Sequence, residues 1–248
     1  MKITMKLAAM VVLAASLFMT VPANAQSNRS QKKENKEMKK DQKEIHETVY
    51  KKSEKMAVKE AKKLEKAGWK TMGLPIAKQL DETWLKMYDR DASGYPRYMW
   101  AQEMATANSF AAAQSQADNV AKLRIASQVS SSVAALTDIA LANQEISAKE
   151  AASITKTVEN AKVIVSQKLG RTFKTMEIYQ ELSNGNYRVR TTMLYDMKAA
   201  VTIAREVMLE ELKKDSDVNK AQLEKLLGMD KLMDQVAKDM PQYDEIAE

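Results

Sequence analysis

The sequence predicts an α+β protein: a small antiparallel sheet of three or four strands, a long helical hairpin, a charged N-terminal helix, and helices covering one face of the sheet. Three observations carry this expectation. Residues 171–182 and 187–195 alternate in character on either side of Ser183-Asn184-Gly185-Asn186, the signature of a β-hairpin with a turn that needs positive φ. Two long segments, 109–143 and 147–169, repeat apolar residues at spacings of three and four. A further stretch, 97–104, alternates again and supplies another strand.

The N-terminus reads as an export signal. Lys2 and Lys6 precede an apolar run from Leu7 to Met19, and Ala23-Asn24-Ala25 stands before Gln26 as a cleavage site. Thirteen apolar residues reach roughly 20 Å as a helix, short of a bilayer core of about 30 Å, so residues 1–25 are expected to be a cleaved leader. No later stretch reads as long and apolar enough to span a membrane. The expected location is the periplasm, the extracellular space or the outer-membrane surface, with the mature chain soluble.

The chain has no cysteine, which removes disulfides, thiolate metal sites, cysteine nucleophiles and the acylated cysteine of a lipoprotein. The formal charge of +6 is unevenly placed. Residues 26–70 hold fifteen Lys and Arg against eight Asp and Glu, whereas residues 71–248 hold twenty-two against twenty-five. The basic character therefore belongs to an extension, residues 26–67, and not to a domain face of the kind that reads nucleic acid. Within it, residues 27–44 are expected to be disordered or fraying and 45–67 to form an exposed helix docking by one thin stripe, its apolar residues being Ile45, Val49, Met56 and Leu64, and stopped by Gly68.

The domain is expected over residues 68–215. Trp69–Met72 reads as a short strand, and Pro75 opens a helix through Leu80, Trp84 and Tyr88. Asp91-Ala-Ser-Gly-Tyr-Pro96 is a turn by composition. In the strand that follows, Tyr98, Trp100 and Gln102 share one face. The Ala-rich helix 109–143 carries Ala117, Ala121, Ile125, Val129, Val133, Leu136 and Ala140 on a drifting stripe. Ser147-Ala-Lys-Glu150 has the capping-box pattern and opens a second helix ending at Gly170. In the hairpin, strict alternation places Lys174, Met176 and Ile178 on one face, and Tyr187, Val189, Thr191, Met193 and Tyr195 on one face. A helix from Met197 to about Lys213 follows, and residues 216–248 form two short helices, capped by Ser216 and Asp230, and a polar tail.

Several stretches read together: Ala61-Lys-Lys-Leu-Glu-Lys-Ala-Gly-Trp69-Lys70, Leu74-Pro-Ile-Ala-Lys-Gln-Leu80, the Ala-rich helix at 110–126 and the hairpin at 170–195. Over residues 57–215 the chain resembles the uncharacterised exported proteins of Bacteroidetes that are similar to the twenty-kilodalton envelope lipoprotein family. The resemblance implies an envelope-associated α+β protein with no established reaction and no catalytic residues to carry over. Lipoprotein members are anchored through a cysteine that this chain lacks.

No catalytic or cofactor motif stands out, and no cofactor is expected. The single histidine, His46, has no partners for a metal cluster or a triad. Asp89, Asp91 and Ser93 ahead of Gly94 imitate the first half of a calcium loop, but Trp100 occupies the place of its bidentate acid. Trp69, Trp84, Trp100 and Tyr98 concentrate aromatic surface within residues 69–100 and are the candidate ligand-binding residues, weighed against service as ordinary core. The expected role is a non-enzymatic binding module for an envelope protein or an anionic envelope component. The competing expectation is a carboxylate-dependent enzyme or small-ligand binder acting on envelope glycans or peptides, which requires one cleft joining a tryptophan to two acids.

Overall fold

The computed structural model describes residues 52–170, 172–214 and 218–240, all within the unit Val49–Glu248. The leader, most of the basic extension, His46, the Ser216 cap and the tail after Pro241 lie outside the described residues. Among the described residues, seven helices and a three-stranded antiparallel sheet make an α+β fold. In chain order they are α1 (52–66), α2 (Ile76–Tyr88), β1 (Tyr98–Ala107), α3 (Phe110–Ala142), α4 (Ala148–Lys168), β2 (Phe173–Glu181), β3 (Tyr187–Asp196), α5 (Met197–Leu212), α6 (Lys220–Leu226) and α7 (Met229–Asp239).

The strand order is β1-β3-β2, with Ala101 opposite Met193 and Ile178 opposite Arg190. Directly opposed residues of an antiparallel pair share a face, so the register assigns every strand side chain. Met99, Ala101, Glu103, Ala105, Thr191, Val189 and Met193 point to one face, where Ala113 and Ala117 of α3 close on Val189. Tyr98, Trp100, Gln102, Met104, Arg190, Met176 and Ile178 point to the other. There Ala57, Ala61, Leu64, Trp69, Ile76 and Leu80 pack on Met176 and Ile178. Helices thus cover both faces and not one. The second layer escapes notice in the sequence because α1 docks through Ser53, Ala57, Ala61 and Leu64, a stripe of mainly small residues, while Met56 stays exposed.

Strict alternation in β2 also fails, at one residue. Lys174 is opposite Met193 but Met176 is opposite Thr192, so Thr175 is an extra residue that turns Lys174 to the face opposite Met176. Thr83 of α2 donates its hydroxyl to Thr175 Oγ1 at 2.8 Å, and the Glu177 N–H donates to the buried Gln79 side-chain oxygen at 2.7 Å, so α2 docks on the bulge. Residues 69–72 contribute only an isolated bridge, Lys70 with Tyr179, in place of a strand. The cause lies one residue upstream: Gly68, at φ +86°, closes α1 by donating to Glu65 O while the Trp69 N–H reaches back to Leu64 O. This return folds Trp69 under Leu64.

The 33-residue α3 is about 50 Å long. Its N-terminal half lies on the sheet through Ala113, Ala117 and Ala121, and its C-terminal half enters a helical core with α4, α5 and α7. By length and composition α3 is apolar enough to cross a membrane, contrary to the reading of the sequence, because alanine and β-branched residues dominate it. Its apolar stripe is spent on the sheet and the bundle instead. Buried Ser130 and Thr137 donate to the carbonyls one turn back, so their hydroxyls are satisfied inside that core.

Ser147 and Glu150 form both bonds of a capping box at the start of α4, and Glu150 Oε1 also accepts from the Asn219 N–H that begins α6. Asn219 itself caps α6, and Gly228 caps α7 in place of the expected Asp230, which lies two positions further on in the first turn.

Two outcomes follow from these contacts. Ala117→Leu forces a branched side chain between α3 and Val189 and is expected to cost about 1–3 kcal/mol in urea unfolding. The Ser147 backbone and side-chain bonds, with that of Asn219, hold the Glu150 carboxyl below its ordinary range. Its contribution is therefore complete above the ordinary glutamate range and disappears as pH falls through the lowered value. Glu150→Gln should be less stable than the parent at pH 7, with the gap closing in acid, as followed by thermal melts at stepped pH.

Candidate functional site

The four aromatic residues singled out in the sequence have different fates. Trp69 is 7% exposed, inside the core between α1, α2 and the sheet, with the Arg190 guanidinium 4.8 Å over its ring. Burial pulls Arg190 below its ordinary value, against the opposing field of Glu60. Trp84 is half-buried against the same core, and Trp100 is half-buried against the helical core. Tyr98, also half-buried, adjoins an exposed aromatic residue. Its ring meets Phe173 edge to face at 6.3 Å, across Leu194 and Asp196 of the central strand. Lys86 Nζ lies 5.6 Å and the Arg97 guanidinium 5.5 Å from the centre of the Tyr98 ring. Phe173 is 55% exposed.

This cluster is built by three elements. The register brings the start of β1 beside the start of β2 across β3, because Tyr98 and Phe173 lie opposite Asp196 and Leu194. The last turn of α2 supplies Lys86, which also reaches Glu82 at 3.9 Å, and Arg97 reaches Asp89 at 3.4 Å. The result is an aromatic surface bordered by two cations, each with a carboxylate nearby. Such a surface takes a flat apolar ring or a cationic or anionic edge by stacking and charge. Sequence reading missed Phe173, since an alternating strand offers no sign that its first residue is uncovered.

The calcium-like loop has other work. Asp91 Oδ1 accepts from the N–H groups of Ser93 at 2.8 Å and Tyr95 at 3.0 Å, and Asp89 pairs with Arg97. Asp91 therefore closes a turn and Asp89 braces it. The Tyr95 hydroxyl at its tip donates to Asp234 of α7, a bond that raises the tyrosine above its ordinary value. Among the described residues no group of three or more His, Cys, Asp or Glu is placed to hold a metal ion.

Two acids do meet, on the opposite face of the sheet from Tyr98. Lys174 bonds Asp118 Oδ2 at 2.7 Å and also Glu177, which accepts from Gln114 at 2.8 Å. Burial works against the Lys174 ammonium, but these carboxylates outweigh it and leave the group above its ordinary value. Asp118 Oδ1 is buried with no hydrogen-bond partner. The cluster locks α3 to β2. The sheet separates it from Trp69, Trp84 and Tyr98, so these three aromatic residues and this acid pair do not share a cleft.

The fold and this surface define an α+β protein whose three-stranded sheet lies between helical layers and exposes an aromatic and cationic patch. No known protein family matches the chain, no characterised protein aligns with it, and no solved structure is similar to it.

Lys174→Met leaves two partly buried carboxylates facing each other without their cation. It should lower stability by about 1–2 kcal/mol, and adding Asp118→Asn to it should recover part of that loss in the same denaturation assay.

Proposed function

We propose that the chain is an exported, soluble protein of the cell envelope that acts as a binding module and not as an enzyme, contacting an envelope protein or an anionic envelope component. The observation that carries this reading is the pairing of half-buried Tyr98 with exposed Phe173, flanked by Lys86 and Arg97. Aromatic residues with cations beside them, held on a sheet face, favour contacts with sugar rings, peptide side chains and acidic groups.

Two further features support it. Shifted ionisable groups mark reaction centres when they gather in one cleft, whereas here Glu150 caps a helix, Lys174 bridges strand and helix, Tyr95 holds a loop and Arg190 stacks on Trp69. The leader pattern of Lys2, Lys6, Leu7–Met19 and Ala23-Asn24-Ala25 supports export, and the short stretches resembling envelope lipoproteins agree with that location. Lacking cysteine, the mature protein would reach the membrane surface through its partner or through the lysine-rich extension, whose excess positive charge attracts phosphate-rich headgroups.

The test is capture of partners from detergent-solubilised envelope, at low and high salt, by the protein recovered from the periplasm. Its N-terminus should be Gln26. A stoichiometric partner that survives high salt and is lost with the double substitution Tyr98→Ala, Phe173→Ser supports the reading. Retention unaffected by that double substitution would move binding away from the patch, and an uncleaved cytoplasmic protein would end the export proposal.

A further inference from the structure

The two edges of the sheet are treated differently. The outer edge of β2 carries the bulge at Thr175, receives Gln79 on the Glu177 N–H, and pairs Tyr179 with Lys70. These are devices that stop a sheet from adding strands. The outer edge of β1 has neither bulge nor proline nor lysine over ten residues, YMWAQEMATA.

The ladder shows which backbone groups face outward on β1. Met197 N–H donates to Arg97 O at 2.9 Å, continuing the β1–β3 pairing, so odd-numbered residues bond to β3. Even-numbered residues therefore point their N–H and C=O groups away from the sheet. The Trp100 carbonyl is met by Gln128 Nε2 at 2.9 Å. Gln102, Met104 and Thr106 pair with no strand at that edge among the described residues.

We infer that β1 is a self-pairing edge, joining the β1 of a second copy of this chain antiparallel about a twofold axis at Met104 to make a continuous six-stranded sheet. The side chains favour this register. It sets Met104, 52% exposed, against its own counterpart and Gln102 against Thr106, with Glu103 opposite Ala105. Moving the axis one position towards the N-terminus would place Glu103 opposite Glu103, a like-charge contact that destabilises a strand pair.

The helix above the edge fits the same partner. Arg124 Nε of α3 reaches Glu103 on β1 at 3.0 Å, whereas Gln114 and Asp118 reach β2, so the Val120–Arg124 flank of α3 is the one nearer the free edge. Val120 is 44% exposed and Leu123 39%. In a continuous sheet Val120 and Leu123 lie on the side of α3 turned towards the second copy. Glu103, the charged residue of β1, is paired with Arg124 within each copy, so it does not oppose the contact. An isologous contact of this kind closes at two copies.

The test uses protein purified from cells expressing the complete chain. Light scattering after size exclusion should give twice the monomer mass at micromolar concentration, and Met104→Lys should raise the dissociation constant at least tenfold without changing the far-UV spectrum. Because the chain has no other cysteine, Met104→Cys gives a second readout: a disulfide-linked dimer under mild oxidation, while Val163→Cys, on the outer face of α4, stays monomeric. A monomer at 100 µM (about the top of the working range for transient pairs) with no Cys-linked dimer overturns the inference. So does a monomer that dimerises only when residues 26–51 are removed, which would assign the edge to the chain's own N-terminal segment.

Discussion

The structure depends on the closeness with which α3 lies on the sheet. Ala113, Ala117 and Ala121 keep the helix near Val189 and Met193, and that approach lets one helix serve two cores in succession. Larger residues there would lift the helix and open the seam along β1 and β3. Because α3 is fixed in the middle, α4 and α5 can pack on its far half, and α7 can close the end of the bundle. Ser132 of α3, bonded to Asp239 of α7 at 2.8 Å, adds a polar tie to that closure.

The opposite face is assembled by a different logic. The α1 and α2 layer is smaller and leans on polar fastenings: Ser53 to Asp81 at 2.7 Å, Thr83 to Thr175, and Gln79 to the 71–74 loop and to β2. Each buried polar group there has its partner, which is the condition under which such groups can be tolerated inside a protein. This layer covers β2 at Met176 and Ile178 and leaves Phe173 at the start of that strand, and Met104 of β1, exposed. Among the described residues the exposed aromatic and the unpaired β1 edge both lie where that cover is incomplete.

Much of the local architecture is legible because it depends on a few residues with short-range chemistry. Ser147 and Glu150 cap α4 by reaching one another, Gly185 turns at φ +81° beside Asn184, and the alternation from Tyr187 to Tyr195 places one face correctly without tertiary information. What could not be read depends on contacts distant in sequence. The extra residue at Thr175 is held by Thr83 of α2, and the α1 stripe is too poor in large apolar residues to announce itself. Trp69 reads from sequence as either core or a stacking surface, and it is the turn at Gly68 that folds it into the core. For the site, Tyr98 was visible as a strand aromatic, but its neighbours Lys86 and Phe173 come from elements twelve and seventy-five positions away.

Sharing one helix between the sheet and the bundle also governs how the molecule comes apart. Neither half can lose its order without releasing a surface of α3 on which the other half is built, so sub-global opening is costly and the two cores melt as one cooperative unit. Wherever proteases act on transiently opened chains, such coupling limits cleavage of the core to the rare fully unfolded population.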